Sequence, residues 1–287
     1  MLNNSGEIKA LIELIDDPDE NVFKSITERF IGLGKEVVPI VKEQLDFTDE
    51  EDTIFKINHI IHKVNFKLLE DELIKWNASS QKSLWDATLI ISTFIDTEAD
   101  KKEIQFEIEK VKRSIWLEMN DYLTSLEEVN IINKVLFSYY KFSAFEEQLT
   151  KEIDFGLNNL LTTKTSSPFS ISIFYLLLGE MLKLPLKALQ IPNQHLLAYC
   201  SNDDDDANGQ NGDILFFIEP STGQIYTHLD VENYLKKINH HIGVTSIKPQ
   251  STKDFVTSWL MKLASFYKKD NQTDKASDII DLTLKLE

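Results

Sequence analysis

The stretch SSPFSISIFYLLLGEMLKLPLKALQIPNQHLLAYC, residues 166–200, carries the pattern that decides the fold. Within it, residues 169–183 are strongly apolar, and the run is long enough to predict a buried helix. Leu184-Pro185 ends this helix, because proline has no N–H with which to continue the hydrogen bonding. The polar residues 162–168 predict a loop before it.

Three short runs with strand character follow the buried helix. They cover residues 188–191, 195–199 and 214–218. The acidic, Gly- and Asn-rich residues 201–213 separate the second run from the third and predict a hairpin loop. Helix, loop and antiparallel strands in this order predict an α+β core. Because the chain has only nine Gly and seven Pro, we expect the rest of it to be mainly helical.

The N-terminal part of the chain is helical by its apolar period. Apolar residues between 8 and 45 recur every three to four positions, and Asp17-Pro18 interrupts the pattern between the first two helices. The segment LIELIDDPDENVFKSITERFIGLGKEVVPIVKEQL, residues 11–45, resembles a HEAT repeat, which is a stacking helical hairpin. An ordinary helical hairpin is the alternative. The polar residues 77–81 mark a candidate boundary.

A histidine and a carboxylate fall on neighbouring predicted strands. His195 begins one strand, and Glu219 ends the next strand in the sequence ILFFIEPSTG, residues 214–223. Such residues can face each other across an antiparallel ladder, as a general base and the group that orients it. The nucleophile of such a site would stand at the start of the buried helix, where the helix dipole lowers a thiol pKa.

These segments together resemble the transglutaminase-like (papain-like) core as it occurs in SirB-type proteins. The resemblance implies that a Cys opens the helix in active members, that a His follows on one strand, and that an Asp follows on the next. By the same resemblance His195 matches the family His, Glu219 takes the Asp position, and Pro168 occupies the Cys position. Whether His195 and Glu219 touch is left open.

The resemblance extends over residues 80–287. SLWDATLIISTFID (residues 83–96) and INKVLFSYYKF (residues 132–142) resemble the helical lead-in of SirB-type proteins. SWLMKLASFYKKDNQTDKASDIIDLTLKLE, residues 258–287, resembles their closing tetratricopeptide-like hairpin. The predicted domains are therefore a HEAT-like cap over 1–76, the lead-in and transglutaminase-like core over 80–245, and a tetratricopeptide-like tail over 250–287.

Three functional hypotheses follow from the Pro168 position, because proline offers no nucleophile. The first is a non-catalytic protein that binds a protein or peptide partner at the vestigial triad Pro168, His195 and Glu219. The second is a hydrolase or acyltransferase that uses His195, Glu219 and a nearby serine. The third is a purely structural scaffold. The candidate serines are Ser166, Ser167, Ser170 and Ser172.

Other candidate sites have simpler interpretations. Cys200 follows His195 at an odd spacing, which predicts that it points to the opposite face of the strand. Residues 204–209 fit the first half of an EF-hand loop, but Leu215 stands where the bidentate Glu should be. His59 and His62 lie three apart on a helix without a further ligand at a matching spacing. We predict no metal site, and the absence of a phosphate-binding glycine loop predicts no cofactor.

Charge and cysteine count limit the partners and the location. The formal net charge of −17 disfavours binding to nucleic acid or to an anionic membrane surface, because both require a basic face. One cysteine allows no internal disulfide. With no signal-like N-terminus and no apolar run of about 20 residues, we expect a cytoplasmic protein. The sequence indicates neither the identity of the partner nor the oligomeric state.

Overall fold

The computed structural model describes residues 5–145, 151–191, 195–201, 213–238, 243 and 247–287. These residues form a mainly helical α+β protein with twelve α-helices and two small sheets, as the sequence predicts. The chain divides into two compact units, which cover residues 1–78 and 79–285. No helix in the described parts of the chain is both long enough and apolar enough to cross a membrane.

The first unit is all helical. Its α-helices are α1 (Ser5–Glu13), α2 (Glu20–Leu33), α3 (Val38–Lys42) and α4 (Glu51–Ala78). Asp19 caps α2 by accepting the Asn21 backbone N–H at 2.8 Å. Gly34 ends the same helix at φ 76°, which favours glycine. Ile26 and Phe30 of the predicted apolar face are buried with Ile57 and Ile60 of α4.

The second unit contains the remaining helices. In chain order they are α5 (Leu84–Ile95), α6 (Lys101–Trp116), α7 (Ser125–Asn133), α8 (Asn158–Thr163), α9 (Pro168–Leu182), α10 (His228–Lys237), α11 (Thr252–Lys269) and α12 (Thr273–Leu286). The sequence predicts one helix over residues 126–140, but α7 continues as a π-helical stretch over Lys134–Tyr139. The predicted buried helix is confirmed as α9, which is buried on all sides from Phe169 to Gly179.

The main sheet has four antiparallel strands in the order β3 (Leu186–Ala188), β4 (Leu197–Cys200), β5 (Ile214–Glu219) and β6 (Gln224–Tyr226). A separate parallel pair joins β1 (Ser143–Ala144) to β2 (Thr165–Ser166). Ala198 and Phe217 are register partners and belong to the apolar cluster that includes Val231 and Leu235 of α10. Residues 197 and 218, which are also register partners, point to the opposite face by strand alternation.

The predicted strand positions need two corrections. The first strand lies at residues 186–188, earlier than the predicted 188–191. His195, predicted inside a strand, lies two residues before β4 begins at Leu197. It therefore stands at the end of the sheet, outside the regular ladder. Residues 204–209, which fit the first half of an EF-hand loop, lie outside the described residues.

Candidate functional site

The N-terminal end of α9 carries the position that the resemblance assigns to a nucleophile. Ser167 is the N-cap, and its Oγ accepts the Ser170 backbone N–H at 3.1 Å. Pro168 is the first residue of the helix, where its missing N–H costs nothing because that N–H has no partner inside a helix. The proline is thus well suited to this helix start, and it presents only carbon atoms there.

The serines around Pro168 are all buried. Ser167 Oγ donates to the Asp154 carbonyl at 2.9 Å, and Ser170 Oγ donates to the same oxygen. Ser172 Oγ donates to the Pro168 carbonyl at 2.8 Å. The Ser166 hydroxyl has no hydrogen-bond partner among the described residues. In the same part of the chain, no hydrogen bond joins any of these four hydroxyls to His195.

Phe169, the second residue of α9, is the side chain that meets the His195 ring. The two ring centroids lie 5.5 Å apart, at an interplanar angle of 47°. Phe169 is 3% exposed, and its ring also lies within 6.3 Å of the rings of Phe155, Phe255 and Trp259. The sequence carries no separate functional signal for Phe169, because its apolar character is shared with the whole helix.

His195 is held in its neutral form. Burial lowers its pKa from 6.5 to about 4, and the positive charge of Lys262 adds to this effect. The negative charge of Glu219 acts in the opposite direction and is the smallest of the three causes. A neutral imidazole retains one N–H donor and one nitrogen acceptor, so the ring can still exchange hydrogen bonds with a ligand.

The Glu219 carboxylate accepts hydrogen bonds from residues of the turn that follows it. Its Oε1 accepts the Ser221 backbone N–H at 3.1 Å and the Ser221 hydroxyl, and its Oε2 accepts the Thr222 hydroxyl. No hydrogen bond joins it to His195 within the described parts of the chain. The β5 alternation assigns Glu219 to the same face as Phe217, whereas the His195 ring contacts Phe169 of α9. The structure therefore brings the two predicted residues into electrostatic range without pairing them.

Lys262 of α11 is the third charged or titratable group at this site. Its Nζ lies 5.3 Å from the centroid of the Phe169 ring, on which His195 also packs. Its side chain is accessible from solvent, yet partial burial lowers its pKa. Sequence reasoning missed it because 67 positions separate it from His195, and a single lysine on a helix carries no functional signal.

The other candidates lie elsewhere. Cys200 is 3% exposed in the apolar cluster with Ala198 and Phe217, where burial raises the pKa of its thiol. His59 packs against the Phe23 ring at 5.7 Å, and His62 stacks on Phe66 at 5.9 Å. Within the described ranges, no group of three or more His, Cys, Asp or Glu is arranged to hold a metal ion.

The order of these elements agrees with a transglutaminase-like class of protein, and the comparison with known families shows it. The family described as the transglutaminase-like superfamily matches residues 102–260, which is more than half of the chain, so the chain belongs to this superfamily. A curated relative is F-box only protein 21 of Mus musculus, which is 24% identical over 161 residues. That match covers 55% of this chain and 25% of the relative, so the chain spans about a quarter of the relative's length. No solved structure matches the chain significantly.

Proposed function

We propose that this chain is a non-catalytic transglutaminase-like protein that binds a protein or peptide. The observation that carries the proposal is the packing of the Phe169 ring on His195 at 5.5 Å, next to Pro168 at the helix start. At the helix start, where the resemblance places a thiol, Pro168 and Phe169 supply only carbon side chains. The only cysteine of the chain, Cys200, is buried in the cluster on the face of α10.

The serine alternative has weaker support from the contacts. A serine nucleophile needs a base that accepts its proton, and a backbone carbonyl is not such a base. Ser167 and Ser170 donate to the Asp154 carbonyl, and Ser172 donates to that of Pro168. These bonds are typical of structural serines at a helix start.

The proposal also includes a more specific assignment within the transglutaminase-like superfamily. We infer that the core is of the SirB type, that residues 1–76 act as a HEAT-like cap, and that residues 250–287 act as a tetratricopeptide-like tail. Helical repeats of these kinds offer extended surfaces to peptides. A cytoplasmic location agrees with a chain that has one cysteine.

The test combines turnover and binding. Purified protein is incubated with amide, isopeptide and ester substrates, with and without a primary amine, and with a fluorophosphonate probe that labels active serines. We expect no product and no labelling above the level of His195→Ala. Turnover that His195→Ala abolishes would contradict the proposal.

Binding is then measured against a displayed peptide library. His195→Ala should weaken selected peptides at least tenfold. The control is His228→Ala, because the His228 ring contacts Phe217 at 5.1 Å on the α10 side of the sheet. If both variants lose stability and neither changes peptide affinity, the scaffold hypothesis replaces the binding hypothesis.

A further inference from the structure

Lysines that lie over aromatic rings recur in this protein, and they allow an internal comparison. Among the described residues five lysines do so: Lys56, Lys134, Lys164, Lys262 and Lys275. The ammonium-to-centroid distances range from 5.0 Å to 5.9 Å. This arrangement attracts a cation to the ring face, but it does not neutralise the charge.

Four of these five lysines also have a carboxylate partner. The Nζ–O distances are 2.9 Å for Lys56–Asp52, 2.8 Å for Lys134–Glu118, 3.7 Å for Lys164–Glu107 and 3.8 Å for Lys275–Glu152. Lys262 is the exception, because no carboxylate of the described chain lies within 4.0 Å of its Nζ.

The Lys262 side chain is exposed, and its surroundings supply no compensating negative charge. Burial lowers the pKa of the ammonium, and no nearby negative charge offsets this. His195, whose pKa the charge of Lys262 lowers, is neutral and adds no compensating charge. Glu219, the acidic residue of the site, has both carboxylate oxygens bonded by Ser221 and Thr222.

We propose that the site formed by Lys262, His195 and Phe169 binds a carboxylate of a partner peptide. The carboxylate would pair with the Lys262 ammonium and accept the N–H of the neutral His195 ring. Both groups contact one phenyl ring, at 5.3 Å and 5.5 Å, and the charge of Lys262 acts on the His195 ring. This inference rests on the proposed binding function, and it assigns the chemistry that the site recognises.

Two sources can supply such a carboxylate, namely a peptide C-terminus or an Asp or Glu side chain. The full chain, labelled with ¹³C and ¹⁵N, is titrated at pH 7 with three small probes while the His195 ring resonances are followed. N-acetyl-leucine carries a free α-carboxylate. N-acetyl-isoglutamine carries a side-chain carboxylate only, and N-acetyl-leucinamide carries none.

We expect a saturable shift of the His195 resonances with at least one carboxylate probe, and none with the amide. The carboxylate probe that binds with the higher affinity identifies whether the partner's carboxylate is a C-terminus or a side chain. Lys262→Gln should weaken binding at least tenfold, and Lys262→Arg should retain most of it. Lys268→Gln, the same charge change at another exposed position of α11, should leave the affinity unchanged.

The inference is overturned if neither carboxylate shifts the resonances, if Lys262→Gln binds as tightly as the parent chain, or if inorganic phosphate binds as tightly as the carboxylates. Its failure is distinguishable from that of the proposed function. Library peptides that bind through His195 but do not depend on Lys262 would leave the binding function intact. Turnover that depends on His195 would remove the binding function, whatever the carboxylate probes do.

Discussion

The two ends of α9 differ in how they satisfy their polar groups. At the C-terminal end, the Lys183 N–H donates to the Glu180 carbonyl at 3.1 Å and the Leu184 N–H donates to the Gly179 carbonyl at 2.9 Å. The Glu180 carboxylate bonds the start of α5. At the N-terminal end, His195 and Lys262 face one phenyl ring with no carboxylate bonded to either of them in the described chain.

This difference indicates which end has a role beyond folding. At the C-terminal end the last carbonyl groups accept hydrogen bonds from N–H groups of the same chain, as expected of a structural helix end. At the N-terminal end the serine hydroxyls are hydrogen-bonded to backbone carbonyls, but the exposed Lys262 of α11 beside it has no carboxylate partner in the described chain. The two ends should therefore respond differently to substitution.

The largest expected effect is that of Phe169→Ala. The ring is 3% exposed and contacts the rings of His195, Phe255 and Trp259. Removing it should lower the free energy of unfolding by about 3 to 5 kcal/mol, through lost burial and the cavity left behind. Urea unfolding followed by tryptophan fluorescence measures the change. The control is Phe106→Ala, because Phe106 is 67% exposed and its loss should change stability by less than about 0.5 kcal/mol.

The next effect is a dependence of stability on pH that comes from His195. The pKa is about 4 in the folded protein and 6.5 in the free side chain, so the unfolded chain binds the proton first. The stabilisation is fully present above pH 6.5, and it is lost as the pH falls towards 4. We expect a loss of about 1 to 3 kcal/mol across this window. Urea midpoints at pH 7 and pH 4.5 should differ less in His195→Gln than in the parent chain. Equal differences would contradict the buried, neutral ring.

A smaller effect is expected at the other end of the helix. The Glu180 carboxylate accepts the Leu84 N–H at 2.9 Å, the Trp85 N–H at 3.1 Å and the Ser83 hydroxyl at 3.3 Å. It thus accepts hydrogen bonds from N–H groups in the first turn of α5, which have no partner within the helix. The helix dipole also favours a negative charge there. Glu180→Ala should cost about 1 kcal/mol of stability. Glu180→Gln keeps an acceptor oxygen and should cost less, and neither change should alter peptide affinity.

Much of the fold was predictable, because it depends on local pattern. The apolar run over residues 169–183 predicts α9, and the helix is found at Pro168–Leu182. The alternation and turn residues predict the antiparallel strands. Their bounds shift by a few residues because strand ends depend on pairing, which a single sequence does not contain. The π-helical stretch at Lys134–Tyr139 has no sequence signature and was missed.

The candidate site was only partly predictable. His195 and Pro168 follow from the order and spacing of segments, and both lie at the N-terminal end of α9. The sequence left open whether His195 and Glu219 touch. Facing each other across a ladder would require both to lie in regular strands, whereas His195 stands before β4 and the Glu219 carboxylate is bonded by Ser221 and Thr222 of its own turn. Lys262 and its missing partner depend on the docking of α11, which is a long-range contact that no local pattern reports.

The smallest expected effect is a change in the pKa of His195 when the charge of Lys262 is removed. The positive charge of Lys262 lowers the pKa of His195, second only to burial, so Lys262→Gln should raise that pKa from about 4. The rise should stay below the full return to 6.5, because burial remains. An NMR titration of the His195 ring measures it, and Lys268→Gln serves as the charge-matched control on α11.

A carboxylate probe should also raise the pKa of His195 in the parent chain, since it brings negative charge to the ring. The probe should have little effect on the pKa in Lys262→Gln. If the probe raises the pKa of His195 equally in both chains, the carboxylate does not bind at Lys262. The N-terminal end of α9 then lacks the proposed binding site, as the C-terminal end does.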